Sequence, residues 1–164
     1  MITIRRSTKE DENAVVDLIN SIMNREFREV KQAYPTEDVE CIDKAYGGIG
    51  EAFFVAVDNG TQKVVGTVAI KKEDGRVALL RRIFVVPTHR NQKIGKRLID
   101  RALDFCREVG YEEVVLKTTS KMSGAIDLCK KNGFIQRGHI VLGPIELIKL
   151  SLSLREPAHA VKGK

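Results

Sequence analysis

The chain has 164 residues, of which 43% are apolar and 30% are charged, with 13 glycines and four prolines. This length suits one domain, and this composition excludes collagen-like, low-complexity and wholly disordered chains. The formal net charge of +6 suits a polyanionic partner, which is either a nucleic acid or a polyanionic cofactor.

The N-terminal half of the sequence predicts a strand, two helices and three further strands. Ile2 and Ile4 alternate with polar residues as a short strand. Ser7–Glu10 have the spacing of a capping box before a first helix that extends to about Asn20 or beyond. A short second helix follows Pro35-Thr36, and a glycine-rich turn follows that helix. Two turns, Asn59-Gly60 and Asp74-Gly75, separate strands at 52–58, 63–70 and 77–86, which predicts an antiparallel meander.

The C-terminal half predicts two amphipathic helices and three strands. Apolar residues from Ile94 to Val109 share one helical face, and Gly110 is the expected stop. A strand at 113–118 precedes a second helix, whose apolar positions run from Met122 to Cys129. One further strand begins at Phe134, and the last strand covers 147–154. This order predicts an α/β fold with a mixed sheet covered by helices, followed by a flexible tail at 155–164.

The remaining composition signals concern location and metals. The longest apolar stretch, 52–57, is far shorter than the roughly 20 residues of a membrane-spanning helix. Residues 1–6 are not followed by the apolar segment of a secretory signal, so we expect a cytoplasmic protein without membrane contact. No disulfide framework or metal site is expected, because none of the cysteines and histidines has the required spacing. These residues are Cys41, Cys106, Cys129, His89, His139 and His159.

The segment 85–98 is the most informative one, because a strand ends there, a loop rich in donors follows and a helix begins. Unpaired N–H groups and the helix dipole make such a turn suitable for a phosphate or diphosphate. Gly95 would let the backbone approach a ligand closely. The alternative is a solvated basic turn that only starts the helix, and spacing alone leaves both interpretations open. The positive charge of the turn comes from Arg90, Lys93, Lys96 and Arg97.

Two motifs in this region resemble those of the GNAT superfamily of N-acetyltransferases. Arg90-Asn91-Gln92-Lys93-Ile94-Gly95 is similar to the superfamily's [QR]-x-x-G-x-[GA], and it follows a strand that ends at Pro87, as in L-x-V-x-P. Residues 122–134 are similar to N-x-x-A-x-x-L-Y-x-x-x-G-F. The resemblance implies a mixed, mostly antiparallel sheet of about seven strands flanked by about four helices. It covers nearly all of residues 1–154, which we expect to form a single domain.

The resemblance also implies a site for acetyl-CoA, with no metal. Backbone groups of the strand would pair with the pantetheine arm, and N–H groups of the following turn would hold the pyrophosphate. A β-bulge near this strand would splay it from the next one. The implied cofactor-binding residues are Ile83, Phe84, Val85, Arg90, Asn91, Gln92, Lys93, Ile94, Gly95, Lys96, Met122, Ser123 and Lys130.

Three residues depart from the family pattern. Lys93 replaces the first motif glycine, and Met122 replaces the usual asparagine. Cys129 replaces the tyrosine that often protonates the leaving thiolate. A thiol can donate a proton, but its side chain is shorter than that of tyrosine. Cys129 is therefore interpreted either as the catalytic acid or as a small apolar residue on a helix face.

The catalytic base and the acceptor contacts are open. Strand 77–86 lacks the glutamate that family members often carry, so the alternatives are Glu51 and direct loss of the proton to water. Arg81 and Arg82 are interpreted as one solvated and one salt-bridged side chain, or as ligands for a substrate carboxylate. Tyr34 and Tyr46 either contact the acceptor or only pack.

Three classes of function compete. The first is an N-acetyltransferase that moves the acetyl group directly from acetyl-CoA to a primary amine of a small molecule or protein. The alternative is a non-catalytic acyl-CoA-binding regulatory module, because the tyrosine and the glutamate are missing. A nucleic-acid binder is disfavoured, since aromatics make up only 5% of the chain and no basic stripe interleaves with them. The oligomeric state stays open, with a homodimer among the states that the family adopts.

Overall fold

The computed structural model describes residues 1–155, so the tail expected at 155–164 lies, apart from Arg155, outside the described residues. Within residues 1–155 there are five α-helices, three short 3₁₀ turns and seven strands. The helices are α1 (Glu12–Glu26), α2 (Glu37–Glu40), α3 (Ile42–Tyr46), α4 (Ile94–Val109) and α5 (Ser123–Lys131). The strands are β1 (Ile2–Arg6), β2 (Ala52–Asp58), β3 (Lys63–Lys72), β4 (Val77–Val85), β5 (Glu113–Thr119), β6 (Ile135–Leu142) and β7 (Ile145–Ser153).

The seven strands form one mixed sheet in the order β1-β2-β3-β4-β5-β7-β6. The pair β4 and β5 is parallel, and the other neighbouring pairs are antiparallel. The parallel pair follows from the connection through α4, since parallel strands need a crossover of a dozen or more residues. The architecture confirms the mixed, mostly antiparallel fold that the sequence predicts.

Two apolar layers cover the sheet, and β2 shows how the sequence specifies both of them. Phe54 packs in the cluster that includes Leu98 of α4, whereas the neighbouring Phe53 packs in the cluster that includes Ile19 of α1. Successive side chains of a strand point to opposite faces, so a strand buried on both sides is apolar throughout. The continuous apolar run of β2 therefore places it at the centre of a three-layer structure.

Strands β4 and β5 diverge, and this divergence creates the opening that matters for function. They pair from Val77 with Glu113 to Leu79 with Val115, and their pairing stops there. On its other side β4 carries a bulge, because Thr67 of β3 faces Phe84 whereas Ala69 faces Arg81. The edge of β4 that faces β5 is thus free of a neighbouring strand beyond Leu79 in the described part of the chain.

Two local expectations are corrected. The capping box uses Thr8 and Asp11 rather than Ser7 and Glu10, and the Thr8 N–H donates to the Asp11 carboxylate at 2.7 Å. The shift arises because Arg5 holds the same carboxylate at 2.8 and 3.0 Å, and glutamate at position 10 lacks this partner. The helix α3 was not expected, because its five residues are too few to show a period.

Candidate active site

A cavity of about 500 Å³ lies where β4 and β5 diverge, beneath the segment that contains α2. Its wall is mostly apolar, with charged and hydroxyl groups among the apolar side chains. Such a site can enclose a small organic molecule and orient it through a few polar contacts. The cavity is lined by Ala33, Tyr34, Pro35, Glu37, Asp38, Leu79, Leu80, Arg81, Arg82, Ile83, Phe84, Leu116, Lys117, Thr118, Met122 and Ala125.

A buried ion pair connects α2 to β4 at this cavity. Arg82 Nε donates to Asp38 Oδ2 at 3.0 Å, and Arg82 Nη2 donates to Asp38 Oδ1 and to the Pro35 carbonyl oxygen at 2.5 Å each. The Tyr46 hydroxyl donates to Asp38 Oδ2 at 2.5 Å. Burial raises the pKa of the Asp38 carboxyl, but hydrogen bonds from Arg82 and Tyr46 outweigh this effect and leave that pKa below its usual value. Asp38 is therefore an ionised anchor.

The arginine pair behaves as its first interpretation predicts. Arg82 is salt-bridged and only 5% of its side chain is exposed, whereas Arg81 is exposed. Arg82 has φ of 54°, in the left-handed region that a non-glycine residue rarely adopts. The strained residue coincides with the bulge in β4, and the ion pair with Asp38 holds it there.

The two candidate tyrosines differ in their positions. Tyr34 lines the cavity, and its hydroxyl lies 3.4 Å from Thr118 Oγ1. Tyr46 is buried and packs against Phe53, with ring centroids 5.5 Å apart. Burial and the hydrogen bond to Asp38 raise the pKa of Tyr46, so this phenol stays protonated at neutral pH. Tyr34 can contact an acceptor, whereas Tyr46 orients Asp38.

The turn before α4 presents backbone donors in an unusual conformation. Asn91 and Lys93 have φ of 64° and 62°, and Lys93 is the N-cap of α4. The first main-chain bond of the helix joins the Arg97 N–H to the Lys93 carbonyl oxygen at 3.1 Å. The N–H groups that precede Arg97 are thus the orphan donors of a helix start. The left-handed Lys93 stands where the family motif has glycine, and its side chain points into solvent, as the departure requires.

Arg90 is not a free cation of this turn. Its Nη1 and Nη2 donate to the two carboxylate oxygens of Glu26 at 2.8 and 2.9 Å, and its Nε donates to the Val85 carbonyl oxygen at 3.0 Å. These bonds connect the loop to α1 and to the end of β4. Glu26 thus pairs with the charge that Arg90 was expected to add for an anion, and a contact of Arg90 with the cofactor stays a prediction.

Gly95 packs closely against a neighbouring helix, and its close approach to a ligand stays a prediction. An added Cβ would lie 2.7 Å from Cδ2 of Leu128, on α5. The small residue thus allows the first turn of α4 to pack against α5. Ile94 is buried beside it, whereas Gln92 and Lys96 are exposed, and Lys96 forms an ion pair with Asp100 at 2.9 Å.

Three of the six predicted residues on α5 and β4 line the cavity. Met122 is buried and lines it, at the N-cap of α5, and Ser123 is exposed in the first turn. Lys130 is exposed near the opposite end of α5. Ile83 and Phe84 line the cavity, while Val85 marks the end of the strand. Met122, Ile83 and Phe84 thus meet at the cavity, whereas Ser123, Val85 and Lys130 lie outside its lining.

The two residues predicted as catalytic lie outside the cavity lining. Cys129 is 0% exposed in the core, and burial raises the pKa of its thiol to about 12. This environment favours its interpretation as a small apolar residue. The Glu51 carboxylate accepts from the N–H groups of Gly48 and Lys72 and pairs with Lys71 at 3.1 Å. Burial raises the pKa of Glu51, but these partners leave it lowered, which suits a structural carboxylate.

Sequence reasoning missed the acidic residues of α2. The sequence predicted only a short helix after Pro35-Thr36, yet Glu37 and Asp38 of that helix both line the cavity. The available signal was an arginine within a buried strand, because such a residue needs a carboxylate partner from elsewhere in the chain. Within residues 1–155 no helix is long and apolar enough to cross a membrane, and no three potential metal-ligating side chains cluster.

Comparison with known proteins agrees with this arrangement. Residues 16–134 match the family model described as Acetyltransferase (GNAT) family. A relative from Azospirillum brasilense, named IAA acetyltransferase, is 33% identical over 157 residues, which cover 95% of this chain and 97% of the relative. The chain belongs to the GNAT family. The matched residues include both the turn before α4 and the end of α5, so the family motifs lie on the elements described above.

Other relatives of this GNAT chain are longer. N-acetyltransferase 8 of Mus musculus is 39% identical over 107 residues, which cover 62% of this chain and 46% of the relative. The chain thus spans nearly all of the Azospirillum relative but about half of the mammalian ones.

Solved structures share the fold. A GNAT-family acetyltransferase from Staphylococcus aureus has a TM-score of 0.81 at 26% identity and covers 94% of this chain and 100% of its own. A GNAT-superfamily phosphinothricin acetyltransferase from Sinorhizobium meliloti, in complex with acetyl-CoA, has a TM-score of 0.78 at 18% identity. That match covers 96% of this chain and 91% of the Sinorhizobium protein, and it shows the fold alone.

Proposed function

We propose that this GNAT protein is an acetyl-CoA-dependent N-acetyltransferase that moves the acetyl group directly to a primary amine. One observation carries the proposal. The open edge of β4 runs beside the cavity and leads at Val85 into the turn that starts α4. A strand edge and a helix N-terminus in series suit the two parts of acetyl-CoA, the pantetheine amides and the diphosphate.

The residues present fit acetyl-CoA. Main-chain groups of Ile83 and Val85 on the β5 side would pair with the pantetheine arm as an added strand does. Since Arg90 already donates to the Val85 carbonyl oxygen, Arg90 fixes the end of this edge. The N–H groups of Gln92 to Lys96, with the dipole of the 16-residue α4, would hold the pyrophosphate. Ser123 begins α5 and Lys130 lies near its other end, and both are exposed and would be available to the rest of acetyl-CoA.

Acetyl-CoA supplies the acetyl group as a thioester, so the reaction forms an N–C bond to the amine, breaks the C–S bond and releases CoA. The cavity would hold the amine beside the edge of β4, and this proximity removes much of the entropic barrier. The backbone at the β4 bulge would supply N–H donors for the oxygen that gains negative charge. Because Cys129 is buried, the departing thiolate would take its proton from solvent.

The amine must lose a proton, and we assign its acceptance to Glu37. Of the two carboxylates that line the cavity, Asp38 is bound to Arg82 and Tyr46. Glu37 is exposed, and no ion-pair partner is found for it among residues 1–155. A carboxylate that lines the cavity and binds no cation can receive the proton directly or through one water.

The test is a steady-state assay of CoA release with a panel of primary amines. Wild type is expected to release CoA only when an accepted amine is present. Glu37→Gln should lower kcat/KM by about 100-fold at neutral pH, since general-base catalysis contributes roughly 10²–10⁴-fold. Glu40→Gln is the matched control, because Glu40 lies on the same helix and outside the cavity.

The outcomes separate the candidate functions. Amine-dependent CoA release that is lost in Glu37→Gln supports the proposed enzyme and its base. Equal activity of Glu37→Gln and wild type would exclude Glu37 as the base and leave water as the proton acceptor. Binding of acetyl-CoA without turnover of any amine would contradict the enzyme and favour the acyl-CoA-binding module. The single domain over residues 1–154, the cytoplasmic location and homodimer formation stay predictions.

A further inference from the structure

Arg82 carries a hydrogen-bond donor that the protein leaves unused. Its Nε and Nη2 are occupied by Asp38 and Pro35, as described above. Its Nη1 is buried and has no hydrogen-bond partner within the described residues. Only 5% of the side chain is exposed, and the residue lines the cavity. A buried, charged donor is normally satisfied, so this unpaired donor indicates a ligand.

Arg81 adds a second guanidinium to the same side of the sheet. Consecutive residues of a regular strand point to opposite faces, but the bulge at Arg82 interrupts this alternation. Arg81 Cζ lies 5.9 Å from the centroid of the Tyr46 ring, and Tyr46 donates to the carboxylate that Arg82 binds. Arg81 is exposed, lines the cavity and has no carboxylate within 4.0 Å in residues 1–155.

Among the charged residues that line the cavity, only Arg81 and Glu37 have no ion-pair partner within residues 1–155. Asp38 neutralises Arg82, and Lys117 pairs with Glu73 at 3.3 Å. Arg81 therefore keeps its positive charge, and Arg82, in the lining of the same cavity, has an unpaired Nη1. Two guanidinium groups with free donors are suited to a carboxylate, whose planar oxygens accept parallel N–H bonds.

We propose that the acceptor is an α-amino acid with an apolar side chain, whose carboxylate binds Arg81 and the Nη1 of Arg82. This inference rests on the proposed function and names the substrate class of its site. An α-amino group stands one carbon from its carboxylate, so the arginines would fix the nitrogen beside the edge of β4. The apolar part of the wall, which includes Leu79, Leu116 and Met122, would receive the side chain.

Three matched pairs of compounds test the proposal. L-leucine, L-methionine and L-phenylalanine are each compared with the amine that lacks the carboxyl group. Binding to the full chain is measured by isothermal titration calorimetry, with and without acetyl-CoA, and turnover by CoA release. At least one amino acid is expected to bind and react about 10-fold or more better than its amine. The proposal is overturned if none of the three amino acids exceeds its matched amine in either measurement.

The variants separate a role in binding from a role in folding. Arg81→Gln is expected to weaken binding of the preferred amino acid about 10-fold or more, and to leave binding of the matched amine unchanged. Arg25→Gln is the charge-matched control, because Arg25 is exposed on α1 and outside the cavity lining. Equal losses for the amino acid and the amine in Arg81→Gln would contradict carboxylate recognition. Since Arg81 is exposed, this variant avoids the folding risk of changing the buried Arg82.

Calorimetry also separates this inference from the proposed function. An amino acid that binds through Arg81 but yields no CoA release supports carboxylate recognition and counts against the enzyme. CoA release with simple amines, and none with the amino acids, supports the enzyme and contradicts carboxylate recognition.

Discussion

At the scale of single residues, the environment of Cys129 indicates whether α5 supplies a catalytic acid. Its thiol is fully buried, and burial raises its pKa to about 12, as burial also does for Cys106 in the same apolar cluster. A catalytic acid must reach the leaving sulfur, and the surroundings of Cys129 are those of a core side chain.

We predict that Cys129→Ala keeps kcat/KM within about threefold of wild type, because the buried thiol does not act as the acid. Loss of a true general acid would instead lower kcat/KM by roughly 10²–10⁴-fold. Cys129→Ser should lower the free energy of unfolding by about 1–3 kcal/mol, because it buries a hydroxyl among apolar groups. Steady-state kinetics and urea denaturation measure the two quantities. Cys106→Ala is the matched control, and a much larger activity loss in Cys129→Ala alone would restore the catalytic interpretation.

The ion pair between Asp38 and Arg82 should contribute to stability as well as to the shape of the site. Asp38→Ala leaves a guanidinium that is 5% exposed without its partner, so we expect a loss of about 3 kcal/mol in the free energy of unfolding. In the Arg82→Met background the same change should cost about 2 kcal/mol less. Urea denaturation of the four proteins gives this coupling, and additive losses would show that the pair is not coupled.

The same pair sets an acid limit to stability. The folded-state pKa of Asp38 lies below the usual value, so its contribution is fully present above the unfolded pKa of about 3.9. The contribution is lost as the pH falls through the lower folded pKa. The difference in unfolding free energy between wild type and Asp38→Ala should therefore shrink below about pH 4.

At the scale of elements, the contact between α4 and α5 depends on the absence of a side chain at position 95. Gly95→Ala would bring its Cβ to 2.7 Å from Leu128 Cδ2, so Leu128 must move. Because Cδ2 is the free end of a flexible side chain, we expect a loss of only about 1 kcal/mol in unfolding free energy, and acetyl-CoA binding should weaken because the added methyl group stands beside the N–H groups of the turn. Urea denaturation and calorimetry measure these effects.

Two further variants control this prediction. Gly124, on α5, has no atom within 4 Å of an added Cβ, so Gly124→Ala should be neutral or stabilise the helix by about 0.5–1 kcal/mol. In a Leu128→Ala background, Gly95→Ala should cost much less. A loss that persists there would show that Gly95 serves the backbone rather than the packing of the two helices.

The elements that the sequence predicts well are those specified by neighbours in the chain. The seven strands, the amphipathic α4 and its stop at Gly110, with φ of 100°, follow from local periodicity and turn residues. The helix α3 and the true capping box were missed, because a five-residue helix shows no period and Thr8 was one residue from an equally suitable start.

The contents of the cavity could not be predicted in this way. Arg82 and Asp38 are 44 positions apart, and only the folded sheet shows that α2 lies above β4. The motif did indicate the turn before α4, since a helix start is a local feature. It did not show that Glu26 neutralises Arg90, because that contact spans 64 positions.

At the scale of the whole molecule, the divergence of β4 from β5 determines where the proposed site lies. The helices α1 and α4 fix β2 and β3 from both faces, while β4 leaves β5 after Leu79. The open edge of β4 then lies beside the cavity, and the start of α4 follows the end of that strand. The free edge of a strand within a sheet is ordinarily covered or paired, so this edge is suited to a ligand that completes the sheet.

The most direct test of this account is thermal unfolding of the full chain with and without acetyl-CoA. At about 100 times Kd, a ligand of the folded state adds ~2.7 kcal/mol to the unfolding free energy. For a chain of this size the expected rise in Tm is roughly 5–10 °C. An unchanged Tm at millimolar acetyl-CoA would contradict the account, because the edge of β4 and the start of α4 would then hold no acetyl-CoA.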